Sequence, residues 1–199
     1  MRTLPGAIAF VVLALVAGCT ITRDTLPQRS ATEQLMISAA ADRAAAELTV
    51  KLKPDSKVFL DSTNFEGYDS KYAIGAITEQ VLEHGARLMP ERKDANVVVA
   101  IRSGALSINE TNHLVGVPAI SVPVPFAGTF TIPEMALFSR HQYQGVAKFA
   151  ATAYDANTGE IIGTSGPRYG FSHRTHWVVL FLISWNSDDL IPKEQRDKN

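Results

Sequence analysis

Lys57-Val-Phe-Leu-Asp61 and Asp94-Ala-Asn-Val-Val-Val-Ala-Ile101 frame the part of the chain whose reading decides the fold. Each is a short run of β-branched and aromatic residues bounded by polar ones, which predicts a strand. Between them, Ala73, Ile77 and Val81 recur at helical spacing with Ile74 and Leu82 beside them. Asp69 or Ser70 suits the start of that helix and Gly85 its end, because a short oxygen-bearing side chain can accept orphan amides and glycine tolerates a left-handed turn. Ala86 to Met89 reads as a further strand. The charged turn Glu91-Arg-Lys-Asp94 then leads into Val97–Ile101, where alternation continues toward Ile108. The unit is strand-helix-strand-strand. The helical crossover implies a parallel pair and the Pro90 to Asn96 turn an antiparallel one, so the expected fold is a single α+β domain with a mixed or antiparallel sheet and two main helices packed on it.

Upstream, Ser30 and Glu33 have the spacing of a capping box, and Ile37, Ala41, Ala44 and Leu48 fall on one face of a helix from about Ala31 to Leu48. So many alanines at helical spacing imply close approach to another surface, either the domain's own sheet or a neighbouring subunit.

Downstream, Pro118 to Ile132 alternates strictly. Ile120, Val122, Val124, Phe126, Phe130 and Ile132 stand at even positions, with Gly128 the one gap, and small or polar residues fall between them. Period two predicts an extended segment with one apolar face. Pro123 and Pro125, two apart, leave one side of such a strand without amide donors, which fits an outer edge or a polyproline-like loop and not a central strand. Three roles suit the segment: covering the core, entering a membrane face or packing on another subunit. Tyr143–Asp155 and Glu160–Tyr169 read as two strands joined by the turn Asp155-Ala-Asn-Thr-Gly159. Trp177-Val-Val-Leu-Phe-Leu-Ile-Ser-Trp185 is nearly all apolar and is too short as a helix to cross a bilayer. It reads as a buried strand or short helix that finishes the core, with an interfacial segment as the rival.

The 199 residues include one cysteine, Cys19, which excludes an internal disulfide framework and a multi-cysteine metal site. It ends the run Leu15-Val-Ala-Gly-Cys19, after Arg2 and an apolar stretch from Ala7 to Val16. That length suits a secretory signal and falls short of the roughly 20 residues of a transmembrane helix. The pattern resembles the bacterial lipoprotein signal, which implies cleavage between Gly18 and Cys19 and acylation of Cys19. Thr20, in place of an aspartate, implies the outer membrane. Residues 1–18 are then a signal peptide, 19–29 a lipidated terminus and tether, 30–191 a periplasmic domain and 192–199 a polar tail. The mature chain would carry 18 Lys+Arg against 20 Asp+Glu. No basic excess points to nucleic acid.

Chemical motifs are sparse. His173 and His176 have an HxxH spacing without an acidic or cysteine companion nearby, and His84 suits the C-terminal dipole of its helix. Gly163-Thr-Ser-Gly-Pro167 lacks the last glycine of a nucleophile elbow, and a bulged hairpin strand accounts for it better. Asp61, Glu66 and Asp69 follow the first strand and are the candidate carboxylates for acid–base work. The expectation is a non-enzymatic protein with no catalytic residue, cofactor or metal.

The lipobox, the Ser30-Ala-Thr-Glu-Gln-Leu35 segment, Lys57–Asp61 and Asp94-Ala-Asn-Val-Val-Val99 together resemble an uncharacterised family of proteobacterial lipoproteins. The unit from Lys57 to Ile108 is more distantly similar to periplasmic domains of the curli secretion channel family and of lipoprotein activators of penicillin-binding proteins. The resemblance implies an envelope assembly role and carries over no functional residue except Cys19. Three functions follow in order: an anchored protein that binds or organises an envelope partner, a subunit of an oligomeric outer-membrane secretion pore, and an enzyme acting on envelope polymers. The expected partners are the bilayer, through acylated Cys19, and an envelope protein or a second copy. The expected contacts are Ile120, Val122, Val124, Phe126, Trp177 and Trp185.

Overall fold

Strand β1 (Lys57–Asn64) is followed by helix α2 (Ser70–Glu83), the two-residue strand β2 (Arg87–Leu88), a 3₁₀ turn (Arg92–Asp94) and the long strand β3 (Val97–Val117). Before them comes helix α1 (Ala31–Ala46). After them come β4 (Ile120–Val124), β5 (Gly128–Ile132), β6 (Met135–Asp155), β7 (Ile161–Val179) and β8 (Ile183–Asp188). The computed structural model describes residues 29–126 and 128–191, and those from Ala31 onward form one compact unit. The proposed signal peptide, Cys19, the tether up to residue 28 and the tail 192–199 lie outside the described residues.

Six strands form one mixed sheet in the order β2-β1-β3-β6-β7-β8. The crossover through α2 makes β2 parallel to β1, as read from the sequence. The Pro90–Asn96 turn does not make an antiparallel pair. Instead β3 passes to the other side of β1 and runs parallel to it, Val58 opposite Val97. The Asn96 amide donates to the Lys57 carbonyl at 3.0 Å and ties the turn to β1 rather than to β2. The strand expected over Ala86–Met89 shrinks to Arg87–Leu88, at the sheet's edge. From β3 onward every pairing is antiparallel.

The alanine-rich face of α1 packs on its own sheet. Met36, Ile37, Ala40, Ala41, Ala44 and Ala45 are all buried. Small residues on the sheet permit the approach: a methyl group on Gly170 would collide with the Ala40 carbonyl, and one on Gly145 with Ser172 Oγ and, at 2.5 Å, the Met36 carbonyl. Ser172 Oγ donates to that carbonyl at 2.7 Å in the buried seam. Ile37, Ala73, Ile77, Val81, Val58, Val99, Ile101 and Phe149 belong to one core, with the Phe65 and Phe149 rings 5.1 Å apart.

Helix α2 begins at Asp69, but the aspartate caps with its backbone and not its side chain. In the left-handed conformation (φ 55°), its carbonyl accepts from the Tyr72 and Ala73 amides. Gly85 (φ 84°) closes the helix, its amide on the Leu82 carbonyl at 2.9 Å. The turn 155–159 forms as read: Asp155 Oδ1 accepts from the amides of Asn157 and Thr158, each at 2.9 Å, and Gly159 takes φ 74°.

Two sequence readings fail in the distal half. Residues 118–132 are not one extended segment but a hairpin, β4 against β5, with Ile120 opposite Ile132 and Val122 opposite Phe130. All the even-position apolar residues described there are exposed, so the segment does not cover the core. Residues 177–185 are neither a buried strand nor a short helix. They form the end of β7, an exposed turn and the start of β8.

Candidate membrane and partner surface

Strand β6 brings the two hairpins together. It pairs with β3 through Val117 opposite Met135 and with β7 through Phe138 opposite Val179. The β4–β5 hairpin therefore grows from the same end of the sheet at which β7 turns into β8. The Leu180 amide donates to the Leu137 carbonyl at 2.8 Å and the Phe181 amide to the Ala136 carbonyl at 3.1 Å, which fixes that turn against the start of β6. Helix α1 also starts at this end: Arg174 Nη1 donates to Thr32 Oγ1 at 3.3 Å, whereas Ala40 and Ala44 lie further down β7, against Gly170. Beyond Arg174 the strands project as an arm. From Glu110 to Val124 it comprises about 14 residues, or roughly 45 Å if fully extended.

The arm is apolar at its end and almost without charge. Residues 111–139 hold one ionisable carboxylate, Glu134, and no lysine or arginine, and residues 175–187 hold no Asp, Glu, Lys or Arg. Phe130 is 63% exposed and Leu182 89%, with Leu180, Phe181, Ile183 and Val115 each more than half exposed. Turn chemistry does not explain these residues. Phe126, Leu180 and Phe181 adopt positive φ (65°, 49° and 60°), where asparagine or glycine would be at ease and a bulky side chain is strained. Such strain at an exposed apolar turn points to a role for the side chains displayed.

Lower on the arm, Trp177 and Trp185 stack across β7 and β8 at 6.0 Å, the Phe138 ring meets Trp177 edge-on at 5.9 Å and the Arg140 guanidinium lies 4.8 Å from the Trp177 ring centre. The opposite face carries a polar row. Asn112 Nδ2 donates to Glu110 Oε1 at 2.8 Å, and Asn112 Oδ1 accepts from His141 Nδ1 at 2.8 Å. His141 Nε2 then accepts the Ser139 hydroxyl at 2.9 Å. Hydroxyl, imidazole and amide in this order resemble a nucleophile with its base and orienting group. Ser139 is wholly buried, however, and its hydroxyl has no route to a substrate in this conformation. The row satisfies polar groups across two strands, and nothing in the sequence marks it except residues of like spacing on strands whose register the sequence does not reveal.

The other residues singled out by sequence are not brought together. His173 and His176 take separate partners: His173 sits against Gln144 and Asp189, and His176 Nδ1 lies 2.8 Å from Asn186 Oδ1. His84 Nδ1 donates to the Gln80 carbonyl at 2.6 Å at the end of α2. Ser165 is buried within β7 and accepts the Thr49 amide at 3.2 Å, beside a bulge at Gly166-Pro167. Asp61 accepts from the Thr63 hydroxyl at 2.7 Å and amide at 3.0 Å, and these bonds hold its carboxyl below the ordinary range. The Glu66 backbone is tied to Ser103, and the Asp69 side chain makes no cap. Of the three, only the Asp61 carboxylate is engaged in these contacts, and it serves local structure.

A cleft of about 770 Å³ lies between the starts of the two helices, lined by residues that include Leu35, Ser38, Lys71 and Tyr72. Beside it Tyr72 donates to Asp42 at 3.1 Å, and burial pushes the Asp42 carboxyl up. At the base of the arm Arg43 clamps α1 to the chain's far end, with Nη1 on Asp189 Oδ2 at 3.0 Å, Nη2 on the Asp189 carbonyl at 2.6 Å and a further bond to the Phe171 carbonyl.

These features define an α+β protein with two helices on one sheet and an apolar two-hairpin arm. The chain belongs to a family of unknown function, DUF6655, whose model matches residues 14–182. No curated protein matches it.

Proposed function

We propose that this chain is a bacterial envelope lipoprotein, non-enzymatic, which is anchored through acylated Cys19 and binds or organises an envelope partner by way of its arm. The observation that carries this reading is that both exposed apolar hairpins leave the sheet at the same end, the β7–β8 turn beside Ala136–Leu137 and the β4–β5 hairpin just beyond Met135. Scattered apolar side chains are ordinary on a protein surface, whereas contiguous ones mark a contact. The signal-like run before Cys19 supplies the location, and Thr20 favours the outer membrane facing the periplasm. A photo-crosslinking residue at Leu182 or Phe126, both exposed, tests it in living cells. An adduct at these positions, to lipid or to a protein, that is absent when the same residue replaces the exposed Lys93 at the opposite end of the sheet is the expected result. Equal labelling at arm and control would sink the reading.

A second reading, a subunit of an oligomeric secretion pore, has its own support. The pairing of β4 with β5 keeps the register of the last two β3–β6 pairs, beyond the bulge at Val115/Gly116, so about nine residues on each strand from Gly116 to Val124 and from Gly128 to Ala136 follow one another, close to the 9–11 residues of a membrane-crossing strand. A ring of copies with channel conductance would establish this reading over the first.

A further inference from the structure

The β4–β5 hairpin is an amphipathic ribbon. Ile120, Val122, Val124, Phe130 and Ile132 share one face, and Ser121, Pro123, Thr129 and Thr131 share the other, where Ser121 Oγ and Thr131 Oγ1 are 3.2 Å apart. It forms a separate two-stranded sheet, with Pro118-Ala119 and Pro133-Glu134 between it and the main ladder. Two open edges carry backbone groups that hydrocarbon cannot satisfy. Pro123, within β4, and Pro125, in the turn that follows, carry no amide donor, and water must serve the groups left open. A ribbon with one apolar face and wet edges suits the boundary between lipid and water, not the hydrocarbon centre.

The place where the described chain begins makes the same point. Helix α1 starts at the arm's base, beside Arg174, and only 11 residues separate Cys19 from Ala31. They reach at most roughly 40 Å. The Val179–Ile183 turn stands five residues beyond Arg174, or roughly 17 Å along the strand. An acylated Cys19 therefore keeps the arm's end within reach of the bilayer that holds it. The graded chemistry agrees: apolar turns at the end, then the stacked Trp177–Trp185 pair with Arg140 level with Trp177, and Arg174 opposite Asp188 further back.

We infer that the two hairpin ends dock on lipid: the Leu180–Ile183 turn enters the headgroup–acyl boundary of the leaflet that holds Cys19, and the apolar face of the β4–β5 ribbon lies on the same surface. The inference rests on the anchored reading for the bilayer's proximity. Trp177 and Trp185 are the only tryptophans in the chain, so its intrinsic emission reports on the arm. The mature protein, purified from the membranes of cells that express the full chain, is reconstituted in phosphatidylethanolamine–phosphatidylglycerol vesicles doped with phosphatidylcholine brominated either near the headgroup or near the chain ends. The expected result is a blue shift and a loss of emission that is greater with the shallow quencher, both diminished in a Phe126→Asp, Leu182→Asp double variant of unchanged far-ultraviolet circular dichroism. Emission indifferent to both quenchers overturns the inference, whether the arm faces water or is shielded by a protein or a second copy. Deeper quenching accompanied by channel conductance overturns it in favour of a crossing barrel. Mass spectrometry of the same sample separates the two claims: acylated Cys19 without quenching removes only the docking, and quenching without acylation removes only the anchor.

Discussion

A methyl group at Gly170 has nowhere to go, because the Ala40 carbonyl and, at 2.5 Å, the Ala44 amide nitrogen already occupy its position. Gly170→Ala is expected to lower unfolding free energy by about 1–3 kcal/mol in urea titrations, the usual cost of overpacking. Gly166→Ala, with no neighbour within 4 Å, is its near-neutral control. Asp189 gives a second single-residue test. Burial acts to raise its carboxyl, but bonds from the His173 amide, the Arg43 guanidinium and the His173 ring outweigh it and hold the group below its ordinary value. A depressed folded-state pKa contributes stability that is present above the unfolded value, about 3.9, and is lost as pH falls through the folded one. The melting temperature should therefore fall less steeply through that acid window in Asp189→Asn than in the parent, a difference that thermal scans between neutral and acid pH would show. At this scale the sequence was a good guide to α1 and a poor one to its clamp: alanine spacing announced a close approach, whereas the Arg43–Asp189 pair spans 146 positions and has no local pattern.

The hairpin turns show how the elements spend conformational strain. Val179 to Leu182 turns with positive φ at both central residues, Leu180 and Phe181, and the Leu182 amide reaches the Val179 carbonyl at 3.4 Å. Asn-Gly is the preferred pair for such a turn. Replacing Leu180-Phe181 by Asn-Gly should raise stability by of order 1 kcal/mol or more by relieving that strain, measured by chemical denaturation. It should at the same time weaken whatever the arm binds, so a gain in one with a loss in the other is the expected signature. The same turns explain why the sequence misled. Period-two alternation gave the apolar face of 118–132 correctly, but a hairpin is announced by its turn, and Phe126 stands where a glycine or asparagine would signal one. Gly128, the gap in the alternation and a residue at φ 87°, was the legible mark of the reversal. The Trp177–Trp185 run misleads for a related reason: continuous apolarity ordinarily means burial, and here it belongs to an exposed end.

In the whole molecule, body and arm differ in what stabilises them. Buried side chains from both helices meet β1, the first part of β3 and the last part of β6, whereas most of the arm's upper strands are exposed. Amide hydrogen exchange in detergent-free buffer should be slow in 97–101 and 147–153 and fast in 120–132 and 180–186, and uniform protection of both would refute this division. The α+β class, both helices and the 155–159 turn were legible because local periodicity and turn chemistry encode them. The order of the sheet was not, since the choice of β1's second neighbour rests on contacts between distant segments. One such contact governs how the chain completes itself. Helix α1 is synthesised early, yet its seat is built from Gly145, Gly170 and Ser172 and closed by Asp189. As the chain emerges, the helix therefore waits with its apolar face unpartnered until nearly the last described strand has arrived, and only then does the body lock.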